Sequence, residues 1–211
     1  MDVRMLTVGP LQENCFIASG SGTGRAVVVD PGEEAERILA ALADAGLTVE
    51  AVLLTHTHFD HVGAVAAVAR ATGAPVYVPE LEREVLANIN DYVRFPGFGP
   101  FESYEAEHTV TGGDRLELAG LDIDVLFTPG HSPGHVVYSV ADEQIVFSGD
   151  VLFEGSIGRT DLPGGDHATL MRSIAMLLDA LPGETTVAPG HMNPTTLERE
   201  RRTNPFLQEL V

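Results

Sequence analysis

Apolar residues along the chain fall into two kinds of run. Short continuous runs closed by turn residues predict buried strands, and runs spaced three and four apart predict helices. Ala26–Asp30 (AVVVD), closed by Pro31-Gly32, predicts a strand. Over Glu33–Ala45, Ile38, Leu39 and Leu42 share one face and Gly46 follows, which predicts a helix. Val49–Leu54 predicts a strand that delivers its end to His56; Val62–Ala71 predicts a helix and Pro75–Val78 a short strand. Beyond Tyr92 the pattern breaks at Phe95-Pro96-Gly97-Phe98-Gly99-Pro100-Phe101, which is either a packed cover over the core or a substrate-facing flap. Strands resume at Arg115–Leu118, Leu121–Phe127, His135–Val140 and Gln144–Ser148. Asp166 then reads as the cap of an apolar-periodic helix through Leu178. This order suggests an α/β fold of two sheets packed together and covered by helices. With no repeat or linker in view, residues 1–211 read as one domain.

Composition narrows the function classes. The 211 residues are 44% hydrophobic, enough for a substantial core. No apolar run approaches the roughly 18 residues of a spanning helix. Met1–Pro10 lacks the pattern of a secretory signal, so a soluble cytoplasmic protein without a membrane partner is expected. Acidic residues outnumber basic ones 31 to 12, a net charge of -19, and all twelve cations are Arg with no Lys. Such a surface repels phosphate backbones, so nucleic acid is not an expected partner. The one cysteine, Cys15, lies in the apolar run Cys15-Phe16-Ile17-Ala18 and reads as a buried structural thiol.

Candidate chemistry sits at the ends of the strand-like runs. Thr55-His56-Thr57-His58-Phe59-Asp60-His61 places four ligand-type side chains in six residues. Alternate residues of an extended segment point the same way, so His56 and His58 can face one metal, and a following turn would aim Asp60 and His61 at a neighbouring position. Without a cation such a cluster would waste solvation. His131 in Thr128-Pro129-Gly130-His131-Ser132-Pro133-Gly134-His135, Asp150 after Phe147-Ser148-Gly149, and His191 after Val187-Ala188-Pro189-Gly190 repeat the same design of apolar run, tight turn and ligand. Of the remaining histidines, His135 either supports a ligand or starts the next strand, His167 lies at a helix start, and His108 reads as a surface residue.

His-x-His-x-Asp-His followed by separate His, Asp and His at strand ends resembles the metallo-β-lactamase superfamily. The resemblance implies an αββα sandwich of two mixed sheets flanked by helices. It assigns His56, His58 and His131 to one metal and Asp60, His61 and His191 to a second, with Asp150 bridging. It also implies two divalent ions, zinc expected, with iron or manganese also suited. Asp60 and Asp150 would act by holding the metals that generate the hydroxide nucleophile. Asp30 matches a position that supports the site from behind the ligands, or else is a simple turn aspartate.

Ser156-Ile157-Gly158-Arg159-Thr160-Asp161-Leu162-Pro163 and the tail Arg202-Thr203-Asn204-Pro205-Phe206 resemble compact bacterial glyoxalase II-like enzymes. That implies hydrolysis of a small-molecule thioester of the S-D-lactoylglutathione type. Arg159 is then the candidate partner of a substrate carboxylate, or alternatively a structural Arg paired with Asp161. Persulfide dioxygenases, with one iron on His56, His131 and Asp150, share the first motif and the Gly-Arg-Thr-Asp run. The acidic balance argues against superfamily nucleases. His58 and the missing flavin domain argue against flavodiiron proteins, and the lack of an export signal against antibiotic hydrolysis.

Overall fold

The computed structural model describes residues 1–93 and 95–208. Contacts divide the chain into two compact units, Met1–Val110 with Glu117–Leu121, and Thr111–Leu116 with Asp122–Val211.

The first unit carries a six-stranded mixed sheet in the order β1 (Asp2–Val8), β2 (Glu13–Ser19), β3 (Arg25–Val29), β4 (Thr48–Leu53), β5 (Val76–Pro79) and β6 (His108–Val110). β1 to β3 run antiparallel, while β3 to β6 are parallel. Parallel neighbours need crossovers. These are α1 (Ala35–Ala45), then α2 (Phe59–Val62) with α3 (Val65–Thr72), then the short α4 (Arg83–Ala87) and α5 (Ile89–Tyr92). Ile38 and Leu42 of α1 and Val65 and Val68 of α3 join Val28, Val52 and Val76 in one buried cluster, as their spacing predicts.

Two expectations are corrected here. The turn foreseen after His58 is the one-turn helix α2, and the helix foreseen over Val62–Ala71 begins only at Val65. The break arises because the Ala64 N–H turns away to the Pro31 carbonyl, 3.0 Å distant. The Phe95–Phe101 segment resolves toward a packed cover at its far end. Phe98 and Phe101 lie 4.9 and 5.4 Å, ring centre to ring centre, from Phe59, which stands between His58 and Asp60.

The second unit holds another six-stranded mixed sheet. Its order is β14 (Thr195–Thr196), β13 (Thr186–Pro189), β10 (Ile145–Gly149), β9 (Val136–Val140), β8 (Leu121–Phe127) and β7 (Arg115–Leu118), with the 117–121 tip counted in the first unit. A separate hairpin joins β11 (Leu152–Phe153) to β12 (Ser156–Ile157). In β8, buried Leu121, Ile123 and Val125 alternate with Asp122 and Asp124, the period-two pattern of a strand with one covered face. The crossover to β13 is α6 (His167–Ala180), capped by Asp166, whose carboxylate accepts from the Thr169 N–H at 2.7 Å. Leu170, Ile174 and Leu177 of α6 pack with Val137, Val146 and Val187.

The tail forms α7 (Leu197–Thr203) and is anchored by a buried carboxylate. Glu200 accepts hydrogen bonds from the Gly155 N–H at 2.8 Å, the Thr195 hydroxyl at 2.6 Å and the Asn204 amide at 2.9 Å. The same amide donates to the Ser156 carbonyl. Glu200→Ala leaves these donors without their acceptor and should cost about 2–4 kcal/mol of stability. Urea unfolding checks this; an unchanged midpoint would mean that the network contributes nothing. Among the described residues, no helix is long and apolar enough to cross a membrane.

Candidate metal centre

In the first unit, Thr55-His56-Thr57-His58 follows the end of β4, bent at Thr55 and extended at His58, and α2 follows at once with Asp60 and His61. His56 Nε2 and His58 Nδ1 stand 3.1 Å apart, and the His56 and His61 rings are 4.2 Å apart. His56 and His61 are fully buried and Asp60 is partly exposed.

Asp30 explains how these rings are oriented. One of its oxygens accepts the Thr55 N–H at 2.7 Å, and the other accepts the Thr55 hydroxyl at 2.6 Å and lies 3.0 Å from His61 Nδ1. A carboxylate only accepts, so His61 Nδ1 carries the proton and Nε2 keeps its lone pair. The Thr55 hydroxyl gives its proton to Asp30, so its oxygen is left to accept from His56 Nδ1 at 3.1 Å. Through Asp30, two imidazoles are fixed in the form that offers Nε2 to a metal. Asp30 is therefore not a simple turn aspartate; it is also spent as an acceptor, although it lies close enough to His56 and His61 to be grouped with them as a ligand. Buried Glu82 performs the same service for Thr57, taking its hydroxyl at 2.6 Å and its N–H at 3.2 Å and holding the intervening residue of the His-x-His segment.

In the second unit, β8, β10 and β13 end close to His131, Asp150 and His191 respectively. His131 Nε2 and His191 Nε2 lie 3.4 and 3.6 Å from the same oxygen of Asp150. His131 Nδ1 is 2.8 Å from the Arg159 carbonyl, an acceptor, so here too the proton sits on Nδ1 and Nε2 faces the carboxylate.

Two glycines let backbone close in on the aspartates. A Cβ at Gly32 would meet the Asp60 carbonyl oxygen at 1.8 Å, and one at Gly158 would meet the Asp150 carbonyl oxygen at 1.9 Å. Only glycine fits at such an approach.

The donor set fits divalent metals. Ligand bonds of 2.0–2.1 Å at tetrahedral angles set neighbouring donors about 3.3 Å apart. The 3.1, 3.4 and 3.6 Å separations within each unit bracket that figure. Neutral imidazoles and a carboxylate are donors of the type that zinc, iron and manganese accept.

Of the two roles foreseen for Arg159, the pairing with Asp161 is the one present. Its guanidinium is forked onto Asp161 through Nε and Nη2, both at 2.7 Å, and the pair holds the Asp161 carboxyl down at about 2. The structural pairing is thus present, while the backbone carbonyl of Arg159 orients His131. His135 precedes β9 rather than starting it, and its Nε2 accepts the Asp150 N–H at 3.1 Å. His167 is the first residue of α6, beside the capping Asp166. Exposed His108 lies in β6, its ring 4.5 Å from that of Tyr77. Of the two roles foreseen for His135 the contact with Asp150 is the one present, while Thr55, Glu82 and buried Glu13, 3.9 Å from His61 Nδ1, escaped sequence reasoning. Cys15 is fully buried, and its thiol is pushed up by that burial first and by Glu13 and Asp30 next.

The family model described as Metallo-beta-lactamase superfamily matches residues 8–191. The probable metallo-hydrolase YqgX of Bacillus subtilis is 41% identical over 98% of both chains. Hydroxyacylglutathione hydrolase GloC of Haemophilus influenzae is 33% identical, again over 98% of both. Among solved structures, BLEG-1 B3 metallo-beta-lactamase is 42% identical with a TM-score of 0.92, covering 98% of this chain and 100% of that one. TTHA1623 in a di-iron-bound form is 45% identical at 0.87, covering 97% and 100%. ETHE1 from Myxococcus xanthus is 30% identical at 0.78, covering 97% and 84%.

Proposed function

Because the chain belongs to the metallo-β-lactamase superfamily, a family of metallo-hydrolases, and has its fold, we propose that it hydrolyses a small-molecule thioester at a centre of two divalent metals. The observation that carries this reading is the convergence of His131 Nε2 and His191 Nε2 on one oxygen of Asp150, the arrangement expected of a carboxylate shared by two cations. On this reading His56, His58 and His131 hold one metal, Asp60, His61 and His191 the other, and the two units act as one domain. Zinc is the metal proposed, and the cytoplasm the compartment, with no nucleic acid or membrane as partner.

Bound metals would lower the pKa of a coordinated water to about 7, supplying a nucleophile at neutral pH. The chain's own part is to hold the ligands. Asp30, through Thr55 and directly, and the Arg159 carbonyl keep the imidazole protons on Nδ1, away from the centre. Asp60 and Asp150 supply two negative charges against four positive ones, leaving a net attraction for an oxyanion developing on the substrate carbonyl.

The similarity to GloC supports a glutathione thioester such as S-D-lactoylglutathione as substrate. Arg159 would meet a carboxylate of the thiol moiety with its remaining N–H groups. Arg159→Ala is then expected to raise KM for glutathione thioesters roughly tenfold, about 1.4 kcal/mol, and far less for thioesters of a simple thiol. Equal changes for both substrates would remove this role.

A second reading is favoured by the similarity to ETHE1; the similarity to a di-iron-bound protein speaks for iron, but for two ions rather than one. This second reading is a persulfide dioxygenase with a single iron on His56, His131 and Asp150. Metal analysis of protein purified without added metal, followed by assay on S-D-lactoylglutathione, separates the two. Two metals and thioester turnover support hydrolysis. One iron with oxygen uptake on glutathione persulfide supports the second reading. The similarity to BLEG-1 makes a β-lactam the control substrate.

A further inference from the structure

Asp150 is the residue on which the proposed centre turns, and its peptide is gripped from both sides. It follows Gly149, the last residue of β10, where the register with β13 shifts. The strand ladder therefore ends just where the carboxylate must be aimed. Its carbonyl is faced by Gly158 with no room for a side chain. Its N–H has a side-chain acceptor, His135 Nε2, at 3.1 Å. His135 is fully buried and Asp150 is 7% exposed.

This contact fixes the state of the imidazole. Because the Asp150 N–H must donate, Nε2 bears no proton, and the proton of neutral His135 is on Nδ1. From there it is donated to the Thr128 hydroxyl at 3.1 Å. The Thr128 N–H in turn donates to the His135 carbonyl at 2.9 Å. Thr128 opens the loop that carries His131. One buried ring thus ties the loop bearing His131 to the strand end bearing Asp150.

We propose that His135 is a positioning residue for the metal centre, setting the Asp150 carboxylate by accepting its backbone N–H. The inference rests on the reading of Asp150 as a metal ligand, and not on which substrate is cleaved. It separates the two nitrogens of the ring by role: Nε2 aims Asp150, and Nδ1 anchors the ring to Thr128.

Two amides dissect these roles. In His135→Gln the longer side chain reaches the place of Nε2 and restores an acceptor for the Asp150 N–H. In His135→Asn the shorter one reaches only the place of Nδ1. His135→Phe keeps the ring and removes both. Zn2+ is titrated into each metal-free protein against a chromophoric chelator, with thermal melting of the metal-free forms as the folding control. Loss of such an outer partner lowers metal affinity roughly 10–100-fold. That loss is expected for His135→Asn and His135→Phe, while His135→Gln should stay within about threefold of wild type. kcat should fall with affinity while KM holds. If His135→Phe does not fold, the Gln and Asn pair decides alone. Equal Zn2+ affinity of those two variants, or wild-type affinity of either the Asn or the Phe variant, overturns the proposal. A wild-type protein that binds two Zn2+ but cleaves no thioester removes the hydrolase reading and leaves this comparison standing.

Discussion

Asp150→Ala is expected to lower thioester turnover by roughly three orders of magnitude or more, because it removes the charge that both metals would share. It should also reduce bound metal from two ions per chain to one or fewer. The geometry makes the effect specific. His131 Nε2 and His191 Nε2 both face one Asp150 oxygen, so its loss leaves each imidazole without the group it converges upon. Asp150→Asn keeps the shape and removes the charge, and should bind metal more weakly than wild type by a similar order. Elemental analysis and initial rates check both. Full activity in the alanine variant would end the assignment of a shared carboxylate.

Asp30→Asn should lower metal affinity roughly 10–100-fold without replacing a proposed ligand. Asp30 has a φ of 47°, a conformation that asparagine tolerates, so the backbone is not at issue. The amide, however, must present an N–H2 either to the Thr55 N–H or to the side shared by the Thr55 hydroxyl and His61 Nδ1. The first choice sets donor against donor. The second turns His61 Nδ1 into an acceptor and moves its proton to Nε2, where the metal needs a lone pair. Either way a buried donor loses its partner, at about 1–3 kcal/mol of stability. Metal titration beside a denaturant curve checks both effects. A variant that loses stability but binds metal as wild type does would show that Asp30 serves the fold alone.

Residues whose environment is set by neighbours in sequence were legible. β8 reads from its alternating Leu121-Asp122-Ile123-Asp124-Val125, and α6 from its cap and apolar spacing. The His and Asp residues at strand ends stood out because such clusters have little use without a cation. β1 escaped because it is largely exposed, and β2 because, though buried throughout, it opens with polar Glu13 and Asn14. Helices as short as α4 and α5 are too brief for a period to appear. The roles of Thr55 and Glu82, and which ligand His135 supports, were hidden for another reason. Their partners lie 25 residues away, for Asp30 with Thr55 and for Glu82 with Thr57, or 15 away, for His135 with Asp150. Such pairs are made by tertiary structure and leave no local mark.

Glu200 and Asn204 give the C-terminal tail a role that the sequence resemblance did not disclose. That tail, whose Arg202–Phe206 run resembles a branch of hydrolases, braces the β11–β12 hairpin. Its presence in a sequence therefore speaks for this scaffold, and not for a particular acyl or thiol group.

The sealed Cys15 thiol bears on what the protein would suffer from the compounds it is proposed to consume. Thioesters transfer their acyl groups spontaneously to exposed amines and thiolates. This chain has no lysine, and its one sulfhydryl is fully buried and held in its protonated form. Apart from the N-terminal amine it offers neither a lysine nor an exposed thiol to such a transfer, so acylation during turnover should be confined to the N-terminus.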